Sequence, residues 1–92
     1  MLNMLGLCMR AGRLITGEKA CLKAVREGGA YAVVLDGGAA DNAVKAIGDA
    51  CAFHNVPLLR AEAGALGQAI GKPGRMVAAV TDASFAERIL NR

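Results

Sequence analysis

Short apolar runs set between helix-period segments constrain this chain most. Tyr31-Ala32-Val33-Val34-Leu35 and Met76-Val77-Ala78-Ala79-Val80 are continuous, as expected of strands covered on both faces. Val56-Pro57-Leu58-Leu59 reads as a further strand. Pro57 suits an edge strand or a strand start, because it has no N–H for the ladder. Met1, Met4, Leu5, Cys8 and Ala11 recur at helical spacing, which predicts a helix over 2–11 that Gly12 stops. Arg13-Leu14-Ile15 reads as a short extended link. Thr16 and Gly17 open a second helix with Cys21, Ala24, Val25 and Gly28 on one face, and Gly28-Gly29 ends it. A third helix runs from about Ala40 with Val44, Ile47, Cys51 and His54 as its inner stripe. Residues 63–70 make a short helix, and Thr81 or Asp82 caps a last one over 83–91. Helices alternating with buried strands predict an α/β fold. The architecture expected is a three-layer α/β/α sandwich around a small mixed sheet of about four short strands. Residues 1–92 should form a single domain.

Charge placement narrows the function. The net charge is only +3. Residues 1–28 hold Arg10, Arg13, Lys19, Lys23 and Arg26 against Glu18 and Glu27, whereas acids and bases balance over 29–92. The excess therefore sits in the first third, which suits one polyanion-facing edge as well as an ordinary solvated helix face. The core must be built from small side chains, since alanine is abundant and aromatic residues are 3% of the chain. Tyr31, Phe53 and Phe85 all fall in expected core elements. Binding of single strands on aromatic platforms is therefore not expected.

Catalytic and metal chemistry find little support. Cys8, Cys21 and Cys51 are widely spaced without a CxxC pair, and His54 is the single histidine. Burial as small hydrophobes in a reducing cytoplasm is the expected fate of the three thiols. Cys51 and His54 share a helical face, so a thiol–imidazole pair is conceivable, but no third group orients it. Gly67-Gln68-Ala69-Ile70-Gly71-Lys72-Pro73 is superficially similar to a phosphate-binding P-loop. Leu66 stands where that pattern needs glycine, and Pro73 where it needs serine or threonine. Asp36-Gly37-Gly38 reads as a turn. The N-terminal stretch lacks a basic region before its apolar residues, and no charge-free run is long enough to span a membrane. No cofactor, metal or small-molecule substrate is expected.

Two segments look built to face a polyanion. Lys19, Lys23 and Arg26 stand at i, i+4 and i+7, one stripe along the second helix. Gly17 permits a tight entry and close approach of another backbone. The first N–H groups of a helix are unpaired and partially positive, which favours phosphate. Arg10 and Arg13 are expected to enter the same region from helix one. Lys72-Pro73-Gly74-Arg75 supplies a second basic loop.

On these segments the chain resembles the kink-turn RNA-binding ribosomal-protein family, most closely its bacterial stand-alone YlxQ-like branch. The resemblance runs from Leu5-Gly6-Leu7-Cys8-Met9-Arg10-Ala11-Gly12-Arg13-Leu14 through Thr16-Gly17-Glu18 and Leu22-Lys23-Ala24-Val25-Arg26. It continues with Asn55-Val56-Pro57, Leu66-Gly67-Gln68-Ala69-Ile70-Gly71-Lys72 and Val77-Ala78-Ala79-Val80-Thr81-Asp82. It implies an α/β/α sandwich and non-enzymatic binding of structured RNA, ribosomal or translation-related. The grip would come from the glycine-led helix start and the loop before the last strand. The family pattern Gly-x-Asn-Glu-x-x-Lys keeps Gly17 and Lys23 here, with Lys19 in the asparagine place and Ala20 in the glutamate place. Lys19 can still donate to guanine O6 or phosphate, but Ala20 cannot accept a guanine N–H. One such contact is worth about 1–3 kcal/mol of discrimination.

The expected RNA-binding set is Arg10, Arg13, Gly17, Glu18, Lys19, Lys23, Arg26, Lys72 and Arg75. Ribosomal or translation proteins are possible further partners. The alternative is a protein-interaction module on the same scaffold that has lost RNA specificity.

Overall fold

The computed structural model describes residues 2–90. Met1, a member of the first helical-spacing pattern, and Asn91, the expected end of the last helix, lie outside the described residues. The elements run α1 (Leu2–Arg10), β1 (Leu14–Thr16), α2 (Glu18–Arg26), β2 (Ala32–Asp36) and α3 (Asp41–Phe53). β3 (Leu58–Ala61), α4 (Ala65–Ile70), β4 (Val77–Val80) and α5 (Ala83–Leu90) complete the chain.

The four strands form one mixed sheet in the order β1-β4-β2-β3. β1 and β2 both lie antiparallel to β4, and β3 lies parallel to β2. The two continuous apolar runs supply the two central strands, β2 and β4, which are buried at every position. Their alternation splits the core into two layers. Ala32, Val34, Ala78 and Val80 face Leu5, Cys8, Leu66, Ile70, Ala86 and Ile89 of α1, α4 and α5. Val33, Leu35, Val77 and Ala79 face Cys21, Val25, Ile47 and Cys51 of α2 and α3. This is the three-layer α/β/α sandwich. Registers Val34↔Ala78 and Val33↔Ala79 keep each row on its own side. Alanines in the central strands let helices approach closely on both sides. No helix among the described residues is long and apolar enough to cross a membrane.

Several boundaries differ from the sequence reading. Leu14–Thr16 is a strand rather than a link, and it is the sheet's fourth. Its short length hides any alternation, and pairing with β4 is what holds it extended. β3 begins two residues later than expected, after Pro57, whose carbonyl accepts from Val33 N at 2.9 Å. It is the edge strand that Pro57 suggested. Asp82 is the cap of α5, with Oδ1 accepting from Phe85 N at 3.0 Å. His54 leaves the inner stripe of α3. It is the exposed C-cap residue, followed by Asn55 in the left-handed region at φ 56°. The aromatic expectation also fails. Tyr31 is 48% and Phe53 82% exposed, and only Phe85 packs partly against the core. Both exposed rings sit at element ends, where helical or strand phase no longer dictates burial.

Candidate nucleic-acid interface

One pole of the sandwich gathers the two segments. Gly17 has φ 99° and ψ 143°, a conformation that side chains with a Cβ rarely adopt. Its N–H donates to Val77 O at 3.1 Å and its carbonyl accepts from Cys21 N at 3.0 Å. The start of α2 is thereby anchored to the start of β4. No side chain caps this helix end. Its first N–H groups keep their donor capacity and partial charge. Glu18, Lys19 and Ala20 are exposed around them. Cys21 and Val25 turn into the core, so Lys19, Lys23 and Arg26 face solvent.

The second segment returns over α4. A Cβ on Gly67 would lie 2.9 Å from Lys72 O and 3.1 Å from Pro73 Cα, so only glycine admits this backbone approach. Lys72 N donates to Gly67 O at 2.9 Å and Arg75 N to Lys72 O at 3.3 Å. The loop then delivers Arg75 and Met76 beside Gly17 and Glu18. Together with Ala40 and Ala43 at the start of α3, they line a cleft of about 290 Å³. Lys19, Lys23 and Arg26 border an adjoining groove of about 280 Å³ with Leu22 and Glu27.

The structure thus brings Gly17, Glu18 and Arg75 to one cleft, from which Lys19, Lys23 and Arg26 run along α2. Lys72 is exposed in the same loop but does not line the cleft. Arg10 and Arg13 do not converge with them, contrary to the sequence expectation. Arg13 sits at the far end of β1, where its carbonyl accepts from Thr81 N at 2.9 Å and its Nε lies 3.9 Å from Asp82 Oδ2. The three residues of β1 separate it from Gly17 by four extended steps, roughly 13 Å. Arg10 lines a groove between α1 and α4, on the other face of the sheet from α2.

Asp36 is the residue that sequence reasoning missed. The expected turn forms, with Ala39 N donating to Asp36 O at 3.1 Å. The side chain, however, is fully buried. Its Oδ2 accepts from Gly38 N and Gly64 N, both at 2.9 Å, and Oδ1 accepts from Leu66 N at 3.0 Å. Asp36 therefore does for α4, from a strand about thirty residues earlier, what an N-cap does from the adjacent position. Desolvation pushes its pKa up, but the three backbone N–H donors outweigh that and leave it lowered. Asp36 N also donates to Met76 O at 2.8 Å, which ties this anchor to the cleft wall. The available signal was a charged residue closing an otherwise apolar run.

The thiols offer no reactive site. Burial, reinforced by the charge of Asp82, pushes Cys8 up to about 11. Burial, reinforced by Cys51, pushes Cys21 up to about 12, and burial raises Cys51 as well. Such groups stay neutral and pack as small hydrophobes. Cys51 is buried while His54 turns outward against the Phe53 ring. Among the described residues no group of three or more His, Cys, Asp or Glu side chains could hold a metal ion.

Comparison with known proteins identifies the family and the fold. Residues 1–90 match the model of the ribosomal protein L7Ae/L30e/S12e/Gadd45 family. The RNA-binding protein YlxQ of Bacillus subtilis is 38% identical over 89 residues, spanning 96% of this chain and 89% of that protein. Its namesake from Enterococcus faecium is 36% identical over 88 residues, spanning 95% and 84%. A solved structure of a protein of unknown function from Bacillus halodurans superposes with TM-score 0.92 at 36% identity, covering 98% of this chain and 92% of that one. The Giardia lamblia 15.5kD RNA binding protein shares the fold, with TM-score 0.79 at 22% identity over 98% and 81% of the two chains. With a family match over nearly its whole length and the same sandwich in its relatives, the chain belongs to the ribosomal protein L7Ae/L30e/S12e/Gadd45 family.

Proposed function

We propose that this protein binds structured RNA without catalysis, acting in the cytoplasm on ribosomal or translation-related RNA. The observation that carries the reading is the cleft where the uncapped start of α2 meets Arg75, continued along α2 by Lys19, Lys23 and Arg26. The names of its bacterial relatives as RNA-binding proteins support it. The two parts of the site suit different parts of an RNA. Glu18 lines the cleft at the helix start, where its carboxylate competes with phosphate for the same positive end and instead favours base N–H donors. The stripe of cations beside it suits backbone phosphates. Ala20 lacks the acceptor of the family pattern, so phosphate contacts and shape carry a larger share of affinity here.

The test is a salt titration of binding to a kink-turn RNA beside a straight duplex of equal length. The wild type should prefer the kinked RNA, and the double reversal Lys19→Glu with Lys23→Glu should abolish binding while leaving thermal stability intact. Undiminished affinity in the folded double variant would sink the site assignment. Absence of binding to either RNA at low salt, together with a protein partner that survives nuclease treatment, would favour an interaction module instead.

A further inference from the structure

The basic stripe of α2 does not end in open solvent. Arg26, its last member, also borders a groove of about 500 Å³ beside Phe53 and His54 at the end of α3. α2 and α3 both start at the cleft, and their ends meet again at this groove. It therefore lies about one helix length from the cleft, roughly 13 Å for the nine residues of α2. Phe53 is 82% exposed, against 46% for Leu7 and 48% for Tyr31. The His54 ring buttresses it in a T-shaped contact at 5.0 Å between centroids. The remaining apolar lining is Ala46 and Ala50, which leave room for a flat ring rather than an apolar partner surface. Asp49, also in the groove, is paired with Lys45 at 3.4 Å rather than with Arg26.

An isolated exposed phenylalanine needs no explanation. Phe53 stands out because a row of cations leads to it. Lys19, Lys23 and Arg26 climb roughly 10 Å of helix axis, so a strand whose phosphates follow them brings its next base to the ring. We propose that Phe53 is a stacking platform for an unpaired nucleotide of the bound RNA, with Arg26 holding the neighbouring phosphate. This rests on the RNA-binding reading above and extends its footprint along α2 to the opposite pole. It also reverses the sequence expectation, which excluded aromatic stacking by placing Phe53 in the core.

The probe is a kink-turn hairpin carrying an unpaired extension with 2-aminopurine on either strand, beside the same hairpin with blunt ends. The wild type should bind one extended form roughly 5- to 100-fold tighter than the blunt form and quench its fluorescence. Phe53→Ala should remove that gain and the quenching, while keeping blunt-hairpin affinity, salt slope and thermal stability. Phe53→Trp should retain both. Arg26→Ala should lower the salt slope by up to about one. Equal affinity and quenching in Phe53→Ala and wild type would overturn the inference and leave RNA binding standing. Wild-type binding to none of these RNAs would overturn the RNA-binding reading, and the inference with it. Self-association that Phe53→Ala abolishes, with no effect on RNA, would assign the ring to a second copy of the chain and overturn the inference too.

Discussion

Replacing Asp36 with asparagine should cost about 2–4 kcal/mol at neutral pH. Two backbone N–H groups converge on Oδ2 and one on Oδ1. An asparagine keeps Gly38 and Gly64 if its carbonyl takes the Oδ2 place, but its NH₂ then opposes Leu66 N–H. One bond to a charged acceptor, worth about 1.5–3 kcal/mol, is lost, and two donors are left facing each other without water. For a domain of this size each kcal/mol shifts Tm by roughly 4–8 °C, so a fall of at least about 8 °C is expected. Asp36→Ala strands all three donors and approaches the whole stability of a small domain, so the asparagine variant is the informative one. The pH dependence separates charge from shape. The native pKa of Asp36 is lowered, because its N–H donors overcome the opposing effect of burial. Its stabilisation is therefore complete above the unfolded carboxylate pKa near about 4 and is lost as pH falls through the native value. Asparagine does not titrate, so the gap between variant and wild type should be full at neutral pH and shrink in acid. Urea denaturation followed by far-UV circular dichroism measures it, since the chain has no tryptophan. A gap below about 1 kcal/mol at neutral pH, or one unchanged in acid, would refute the reasoning.

Gly17→Ala forces a Cβ into the backbone at φ 99°. It should cost roughly 1–3 kcal/mol and weaken RNA binding by displacing the start of α2, as chemical denaturation and an affinity titration would reveal. Arg75→Ala should reduce the salt slope of RNA binding by up to about one unit, and Lys72→Ala by no more than that. No change in either variant would remove the loop from the interface. Cys8 and Cys21, held up to about 11 and about 12 by burial first and by Asp82 and Cys51 respectively second, should resist thiol reagents at pH 8 until the protein is unfolded. Labelling of the native protein at the rate of a free thiol would show that the core opens.

Most of the scaffold was legible along the chain, because periodicity and caps are local signals. The apolar runs around Val34 and Ala78 announced the two central strands, and their lack of alternation announced helices on both faces. Glycines at 17 and 28 marked the ends of α2. The stripe of Lys19, Lys23 and Arg26 followed from helical spacing alone. What escaped was whatever depends on which ends of elements meet. The order β1-β4-β2-β3 carries Arg13 to Asp82 and Gly17 to Val77, so basic residues close in sequence part company. That order also brings Arg75 to Gly17 and Glu18, and it places the Asp36 carboxylate against amides that lie 28 and 30 residues further on. Burial of a charge is unfavourable unless donors converge on it, and convergence is a property of folded space. Phe53 reached solvent for the converse reason, since α3 stops at that residue and its ring falls on the open side of a last turn whose Cys51 is buried.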